Sequence, residues 1–104
     1  MIPSLEEARE ITRLLLEENL IAAGNIDSIE SIYWWEDEIH SRREWSLQCL
    51  TRRSLFEKVE SSIINQHSYE VPGVIGIPIV EVRDEYSSWI CQYTEQISEN
   101  ESIS

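Results

Sequence analysis

Basic residues are scarce in this 104-residue sequence, where 8 lysines and arginines face 20 aspartates and glutamates for a formal net charge of −12. Nucleic acids and anionic membranes attract proteins through basic patches, so the excess of acid argues against both as partners. No apolar run is long enough to span a bilayer, and we expect no membrane insertion. The N-terminus is polar and acidic by Glu6, which is unlike a secretory signal peptide.

Cysteine and histidine are also rare, with two of each. Cys49 and Cys91 match no metal-ligand spacing such as C-x-x-C, so we expect buried thiols in a reducing, cytoplasmic compartment. The G-x-S-x-G nucleophile elbow and the Walker and Rossmann phosphate loops are absent from the sequence. We therefore expect no enzyme, no catalytic residues and no required cofactor.

The length suits one domain, which we assign to residues 1–97, followed by a polar flexible tail at residues 98–104. Hydrophobic periodicity predicts the element order α-β-β-α-β-α. That order matches an α+β fold of the ferredoxin-like βαββαβ type without its first strand and with an extra C-terminal helix.

Two S-x-x-E patterns predict the starts of the first two helices, since each can form a capping box. The first helix begins at Ser4 and runs to about Asn19, and the second begins at Ser54 and ends near residues 66–67. The third predicted helix carries an apolar stripe with helical spacing. Its members are Tyr86, Trp89, Ile90, Tyr93 and Ile97.

Runs of β-branched and aromatic residues predict three strands. Residues 29–35 and 44–51 form a hairpin, with a polar turn at residues 36–38 and a loop that contains His40. The third strand covers residues 74–82. Pro78 has no N–H to donate, so it must lie at an edge or a bulge of that strand.

Large aromatic side chains occupy the end of the first strand at Tyr33, Trp34 and Trp35. Successive strand residues point to opposite faces, so these rings cover both faces of the sheet. Helices would cover one face, and the other would expose aromatic surface unless another subunit covers it. Trp45 in the second strand supports such a subunit interface. The alternative is a tryptophan half-buried at the rim of the domain.

A candidate metal site lies between the second helix and the third strand. His67 and Glu70 are three residues apart, and an imidazole and a carboxylate can together ligate Zn²⁺ or Cu²⁺. Tyr69 lies between them. The structural alternative is a histidine at a helix C-terminus, where the helix dipole favours a cation.

These segments together resemble the CutA family, the divalent-cation-tolerance proteins, from Pro3 to about Thr94. The resemblance rests on the following stretches in this order: PSLEEA from Pro3, LIAAGNI from Leu20, SIYWWE from Ser31, HSYEVP from His67, IPI from Ile77 and YSSWI from Tyr86.

The resemblance implies a ferredoxin-like fold assembled as a compact homotrimer, with strands of neighbouring subunits paired at their edges. It implies tolerance of copper and other divalent cations, with weak binding of Cu²⁺ or another divalent cation at His67 and Glu70. Tyr69 would line the same cleft between subunits, and no catalysis is implied. The alternative is a trimeric signalling or scaffolding module like the PII proteins, which would bind a small ligand in an inter-subunit cleft.

The sequence departs from the family pattern at four places. Only two residues precede Pro3, where the family has an apolar first strand; Ala23 replaces a cysteine proposed as a copper ligand. Leu50 replaces a lysine, and Ser68 replaces the proline between histidine and tyrosine. We expect the inner sheet edges to be unpaired, which invites strand donation and makes this chain less stable than one extended by an apolar strand.

Overall fold

The computed structural model describes residues 2–66 and 73–94. The predicted tail at residues 98–104 and Ile97 of the apolar stripe lie outside these described ranges. The elements are α1 (Leu5–Glu17), β1 (Ala23–Trp35), β2 (Glu38–Leu50), a short 3₁₀ turn (Arg53–Leu55), α2 (Phe56–Gln66) and α3 (Asp84–Tyr93).

Helix α1 begins as the capping box predicts. Ser4 has extended backbone angles, and its Oγ accepts a hydrogen bond of 3.0 Å from the N–H of Glu7. Ala8, Ile11 and Leu15 are buried at helical spacing. The helix ends at Glu17, and Asn19 follows with a φ of 58°, a left-handed conformation that asparagine adopts more readily than most residues.

The predicted hairpin is present, but both strands are longer than the sequence suggests. β1 and β2 are each 13 residues long and pair antiparallel from Ala23 opposite Leu50 to Trp35 opposite Glu38. The turn consists of Glu36 and Asp37 alone, with φ values of 52° and 66°. The prediction that His40 lies in the hairpin loop is therefore wrong. His40 lies within β2, directly opposite Tyr33.

The start of α2 also differs from the prediction. Ser54 lies inside the 3₁₀ turn and does not cap the helix, which begins only at Phe56. Leu55 and Val59 are buried, as the apolar spacing predicts. The capping box predicted at Ser54 is wrong. Leu55, inside the pattern, is buried in the core and forms the end of the 3₁₀ turn, which occupies the place of the predicted capped helix start.

The third predicted strand is wrong for the described residues, because residues 73–83 have no regular secondary structure. A strand needs a hydrogen-bonded neighbour, and residues 74–82 make no backbone hydrogen bond within the described ranges. The sheet therefore has two strands in the part of the chain that is described. Helix α3 follows at Asp84, which confirms the extra C-terminal helix.

The hydrophobic core lies between α1, α2 and one face of the hairpin. Its buried members come from the segment before α1, from α1 and α2, from the connection after α1 and from the 3₁₀ turn: Ile2, Ala8, Ile11, Leu15, Leu20, Ile21, Leu55 and Val59. Ile26, Trp45, Leu47, Cys49 and Ile63 are partly buried and pack against them. Alternation along β1 and β2 places the four sheet residues of this second group on one face, which identifies the core side of the hairpin.

Candidate functional site

The predicted metal ligands His67 and Glu70, with Tyr69 between them, lie outside the described residues. The described chain stops at Gln66, the last residue of α2, and resumes at Gly73. The Gln66 amide folds back on its own helix and donates to the Ser62 carbonyl at 3.0 Å. Among residues 2–66 and 73–94, no group of three or more His, Cys, Asp or Glu side chains could hold a metal ion.

A polar groove lies beside the end of α2. Asn65 in its lining is two positions before His67 in the sequence. It is formed where α2 passes the C-terminal end of α1, and its volume is about 480 Å³. Ser62 Oγ donates to Glu18 Oε1 at 3.3 Å across the groove. The lining is Glu18, Leu20, Glu57, Lys58, Ser61, Ser62 and Asn65. Two carboxylates and one lysine give this groove no strong preference for anions.

The tip of the hairpin carries the predicted aromatic surface. Trp34 and Trp35 lie on opposite faces and are 70% and 43% exposed. Tyr33 stacks on His40, with ring centroids 6.1 Å apart and ring planes 22° apart. Trp45 lies elsewhere: it is half-buried and packs against the core of its own chain.

The core side of the hairpin continues as an exposed apolar surface towards the tip. Ile32, Trp34 and Ile39 share that face, and we call them the tip patch. They are 68%, 70% and 63% exposed, although the same face is covered by helices further down the hairpin. An apolar surface of this kind is typical of a contact with another protein chain.

Helix α3 is tied to the rest of the chain by polar contacts at its C-terminal end. The Arg52 Nε donates to Thr94 Oγ1 at 2.9 Å, and the Thr94 hydroxyl donates to the Ile90 carbonyl at 2.8 Å. Asn19 Nδ2 donates to the Tyr93 carbonyl at 3.3 Å. Local sequence patterns gave no sign of these contacts, because each joins residues more than 40 positions apart except the one within α3.

The exposed face of α3 presents an aromatic ladder. Tyr86 and Trp89 stack with centroids 5.5 Å apart, and Trp89 and Tyr93 are 6.0 Å apart. Of the four stripe residues that the structure describes, only Ile90 is buried, so these residues face the core less than their spacing suggested. Trp89 and Tyr93 also border a second groove of about 260 Å³, beside Ile21 in the connection between α1 and β1.

The two cysteines have different environments. Cys49 is half-buried in β2, and burial raises its pKa from 9.0 to about 11. A thiol must lose its proton to ligate a metal, so Cys49 is a poor ligand near neutral pH. Cys91 is exposed on α3, and the expectation that it is buried is wrong.

No helix in the described part of the chain combines the length and the apolar character needed to cross a membrane.

The chain is similar in sequence and in structure to known proteins. The family model described as CutA1 divalent ion tolerance protein matches residues 1–93. The divalent-cation tolerance protein CutA of Pyrococcus horikoshii is 33% identical over 94 residues, which cover 90% of this chain and 92% of that protein. The solved structure of the periplasmic divalent cation tolerance protein CutA from Archaeoglobus fulgidus has a TM-score of 0.89 at 38% identity, covering 90% of this chain and 92% of that one.

A second solved structure links the fold to PII-like proteins. The PII-like protein CutA from Nostoc sp. PCC 7120 has a TM-score of 0.84 at 29% identity and covers 90% of this chain and 91% of that chain. These similarities confirm the ferredoxin-like fold class, although only two strands are paired here among the described residues. The chain belongs to the CutA1 divalent ion tolerance family.

Proposed function

We propose that this protein acts in divalent cation tolerance as a non-catalytic homotrimer that binds Cu²⁺ or another divalent cation weakly at His67 and Glu70. The observation that carries the proposal is the family match over residues 1–93, which includes this pair. The relatives are named for divalent-cation tolerance, and an imidazole and a carboxylate suit copper and zinc. Ala23 has no thiol, and the raised pKa of Cys49 keeps its thiol protonated near neutral pH, so neither residue supplies a thiolate ligand. The expected metal binding is therefore weak.

Copper titration with matched histidine variants tests the site. The chain has two histidines, so His40→Ala is the control for His67→Ala. We expect calorimetry to give one weak site per chain for the wild type and for His40→Ala, and a loss of affinity of about tenfold or more for His67→Ala and Glu70→Gln. The titration is run at 0.15 M salt or above, which screens loose attraction to the acidic surface.

Equal copper binding by all four proteins would contradict the site and leave only diffuse attraction to the −12 charge. That outcome would not contradict the proposed trimer, because the oligomeric state is measured in a separate experiment. Sedimentation analysis tests the trimer directly: we expect a mass three times that of the 12.2 kDa chain. The exposed tip patch supports an assembly, because a monomer would leave those three side chains in water.

A small-ligand signalling role is the second candidate, supported by the likeness to the PII-like protein of Nostoc. The described residues contain no Gly-rich phosphate loop, and the net charge of −12 repels a nucleotide. A thermal-shift screen with ATP and related nucleotides separates the two candidates. We expect no rise in melting temperature, and a clear rise with ATP would favour signalling.

We also propose a cytoplasmic location, supported by the two thiols. Cell fractionation with an antibody against the chain tests this, and recovery in an oxidising compartment would contradict it.

A further inference from the structure

A groove of about 260 Å³ lies between α3 and the C-terminal end of α1. We call it the aromatic groove, because Trp89 and Tyr93 of α3 belong to its lining. Pockets for drug-sized ligands usually measure about 300–1,000 Å³, so this groove suits a smaller molecule or the head of a larger one. The other lining residues come from the end of α1 and the connection to β1: Leu16, Asn19, Ile21 and Ala22.

The two rings of the aromatic groove are inclined to each other. The centroids of Trp89 and Tyr93 are 6.0 Å apart, and the ring planes are tilted by 58°. Tyr86 stacks on Trp89 with centroids 5.5 Å apart and planes 16° apart, which supports the orientation of the indole. Trp89 is 36% exposed and Tyr93 is 49% exposed, so solvent reaches both rings. Inclined rings can present their electron-rich faces to one cation from two sides.

Hydrogen bonds on both sides of the aromatic groove hold its walls in place. Asn19 Nδ2 donates to the Tyr93 carbonyl at 3.3 Å, which ties the end of α1 to the end of α3. The Ala22 N–H donates to the Leu50 carbonyl at 2.8 Å. Ile21 is 1% exposed and belongs to the core, so this apolar part of the lining is fixed by packing. A site with ordered walls costs less to fill than one that its ligand must order.

Negative potential reaches the aromatic groove from two helix ends. α1 ends at Glu17 and α3 ends at Tyr93, and neither helix has a basic residue in its last turn. The C-terminus of a helix carries a partial negative charge, and Glu17 and the cap residue Glu18 add carboxylates at the end of α1. Arg52 offsets part of this potential at α3, where its guanidinium donates to Thr94, but it does not line the groove. The net charge of −12 further favours a cation.

The chemistry of the lining selects the kind of cation. None of its six described residues has a carboxylate, a thiol or an imidazole, so the groups that bind Zn²⁺ or Cu²⁺ are missing from it. A primary ammonium needs hydrogen-bond acceptors when it leaves water, whereas all lining side chains except Asn19 are aliphatic or aromatic. A quaternary ammonium has no N–H to satisfy. Its methyl groups contact apolar walls while its charge is attracted to the rings.

We propose that the aromatic groove binds a small organic cation with a quaternary ammonium head. Trp89 and Tyr93 contact the cation through their rings, and the end of α1 supplies negative potential. This site goes beyond divalent cation tolerance and does not depend on the metal pair His67 and Glu70, so either proposal can fail without the other.

NMR titration with tetramethylammonium chloride tests the proposal. We expect the indole N–H signal of Trp89, assigned by its loss in Trp89→Phe, to shift saturably with a dissociation constant in the millimolar range. The indole signal of Trp34, in the tip patch, should not shift. Sodium chloride controls for ionic strength, and tert-butanol is an uncharged probe of similar size. We expect tert-butanol to bind at least about fivefold more weakly, because it lacks the charge.

Variants of the indole separate a cation site from an apolar one. Trp89→Leu keeps an apolar side chain without a ring, so it should weaken tetramethylammonium binding by about fivefold or more. Trp89→Phe keeps a ring and should recover part of that affinity. Trp34→Leu is the control and should bind as the wild type does. In all these variants the side-chain amide signal of Asn19 reports binding.

Charge variants test the contribution of the α1 end. Glu17→Gln combined with Glu18→Gln should weaken binding by about two- to fivefold at low salt. The matched control is Glu6→Gln combined with Glu10→Gln. It makes the same change in net charge in the first half of α1 and should have a smaller effect.

Several results would overturn the proposal. Equal shifts with sodium chloride would reduce the effect to ionic strength, and equal affinity for tert-butanol would make the groove an apolar site only. Wild-type affinity in Trp89→Leu, or no saturation below about 0.1 M tetramethylammonium, would also refute it. None of these results bears on copper binding at His67 and Glu70.

Discussion

Ile2 and Trp45 exchange two backbone hydrogen bonds, of 2.9 Å from the Ile2 N–H and 2.8 Å from the Trp45 N–H. This isolated antiparallel bridge attaches the residue two positions before the α1 cap to the edge of β2. Ile2 is 5% exposed and belongs to the core, so its side chain and its backbone are both fixed. The N-terminus therefore takes part in packing α1 against the hairpin.

Removing the Ile2 side chain tests this role. We expect Ile2→Ala to lower the free energy of unfolding by about 2–4 kcal/mol, since a buried isoleucine is truncated and a cavity remains. Urea unfolding followed by tryptophan fluorescence measures the change. The control is Ile64→Ala on α2, where the side chain is 51% exposed and the expected change is within about 0.5 kcal/mol. A wild-type midpoint for Ile2→Ala would show that the Ile2 side chain does not stabilise the core.

Gly24 in β1 marks a close approach between the hairpin and α1. A Cβ there would lie 2.6 Å from Thr12 Cγ2 and 3.3 Å from Leu47 Cδ1. Thr12 cannot rotate away without cost, because its hydroxyl donates to the Ala8 carbonyl at 2.7 Å. We expect Gly24→Ala to destabilise the protein by about 1–3 kcal/mol, measured by urea unfolding.

Two controls separate this clash from a general effect of alanine. Gly73→Ala meets no atom within 4 Å and should leave stability within about 0.5 kcal/mol of the wild type. Thr12→Ser keeps the hydroxyl and removes the methyl group, so it should recover part of the loss when combined with Gly24→Ala. A strictly additive double variant would mean that the Thr12 methyl is not the obstacle.

The hairpin turn stores strain that a substitution can release. Glu36 and Asp37 both have positive φ, as a two-residue type I′ turn requires. Glutamate is not a residue type that such turns favour at the first position, and Asp37 occupies the second position, where glycine is preferred. Replacing them with Asn-Gly should stabilise the protein by about 1 kcal/mol and raise its melting temperature by several degrees. The Ala-Ala replacement of the same pair is the control and should give no gain. Equal melting temperatures for both replacements would contradict the strain argument.

The features predicted correctly from the sequence are those with a local cause. The Ser4 cap depends on an N–H three residues away, and the hairpin follows from a polar turn between two segments that contain β-branched and aromatic residues. His40 was misplaced because its strand residues are polar and are held in β2 by pairing with β1, which sequence spacing does not reveal. The strand predicted at residues 74–82 has strand composition but lacks a described partner, and composition alone cannot supply one.

The candidate site was predictable only in part for the same reason. Alternation along β1 places Ile32 and Trp34 on one face, but that face is the core side, which the helices were expected to cover. The exposure of the tip patch shows that the helices leave this face uncovered near the tip. The contact between Arg52 and Thr94 joins residues 42 positions apart and depends on how the C-terminal end of α3 lies against the segment that follows β2. No periodic pattern carries that information. His67, Tyr69 and Glu70 lie outside the described residues, so their role stays a prediction.

The protonation of Cys49 gives a pH dependence with a definite sign. The thiol ionises near its ordinary pKa of 9.0 in the unfolded chain, whereas burial raises its pKa to about 11 in the folded protein. Between these values the unfolded chain releases a proton that the folded protein keeps, so stability falls as pH rises. The contribution is fully present below pH 9 and is lost as pH rises through about 11.

Unfolding in urea from pH 8 to 11 measures this loss in a Cys91→Ser background, with Cys91→Ser/Cys49→Ala as the control. We expect the free energy of unfolding to fall by at most about 2 kcal/mol over this pH range, and only in the protein that keeps Cys49.

Alkylation by iodoacetamide at pH 8 gives an independent check. Because the thiolate fraction of Cys49 is on the order of 100-fold below that of an ordinary thiol, its reaction should be slower by a similar factor than that of a model peptide. Rapid alkylation of the folded protein, together with parallel pH profiles for the two variants, would show that β2 leaves Cys49 open to water.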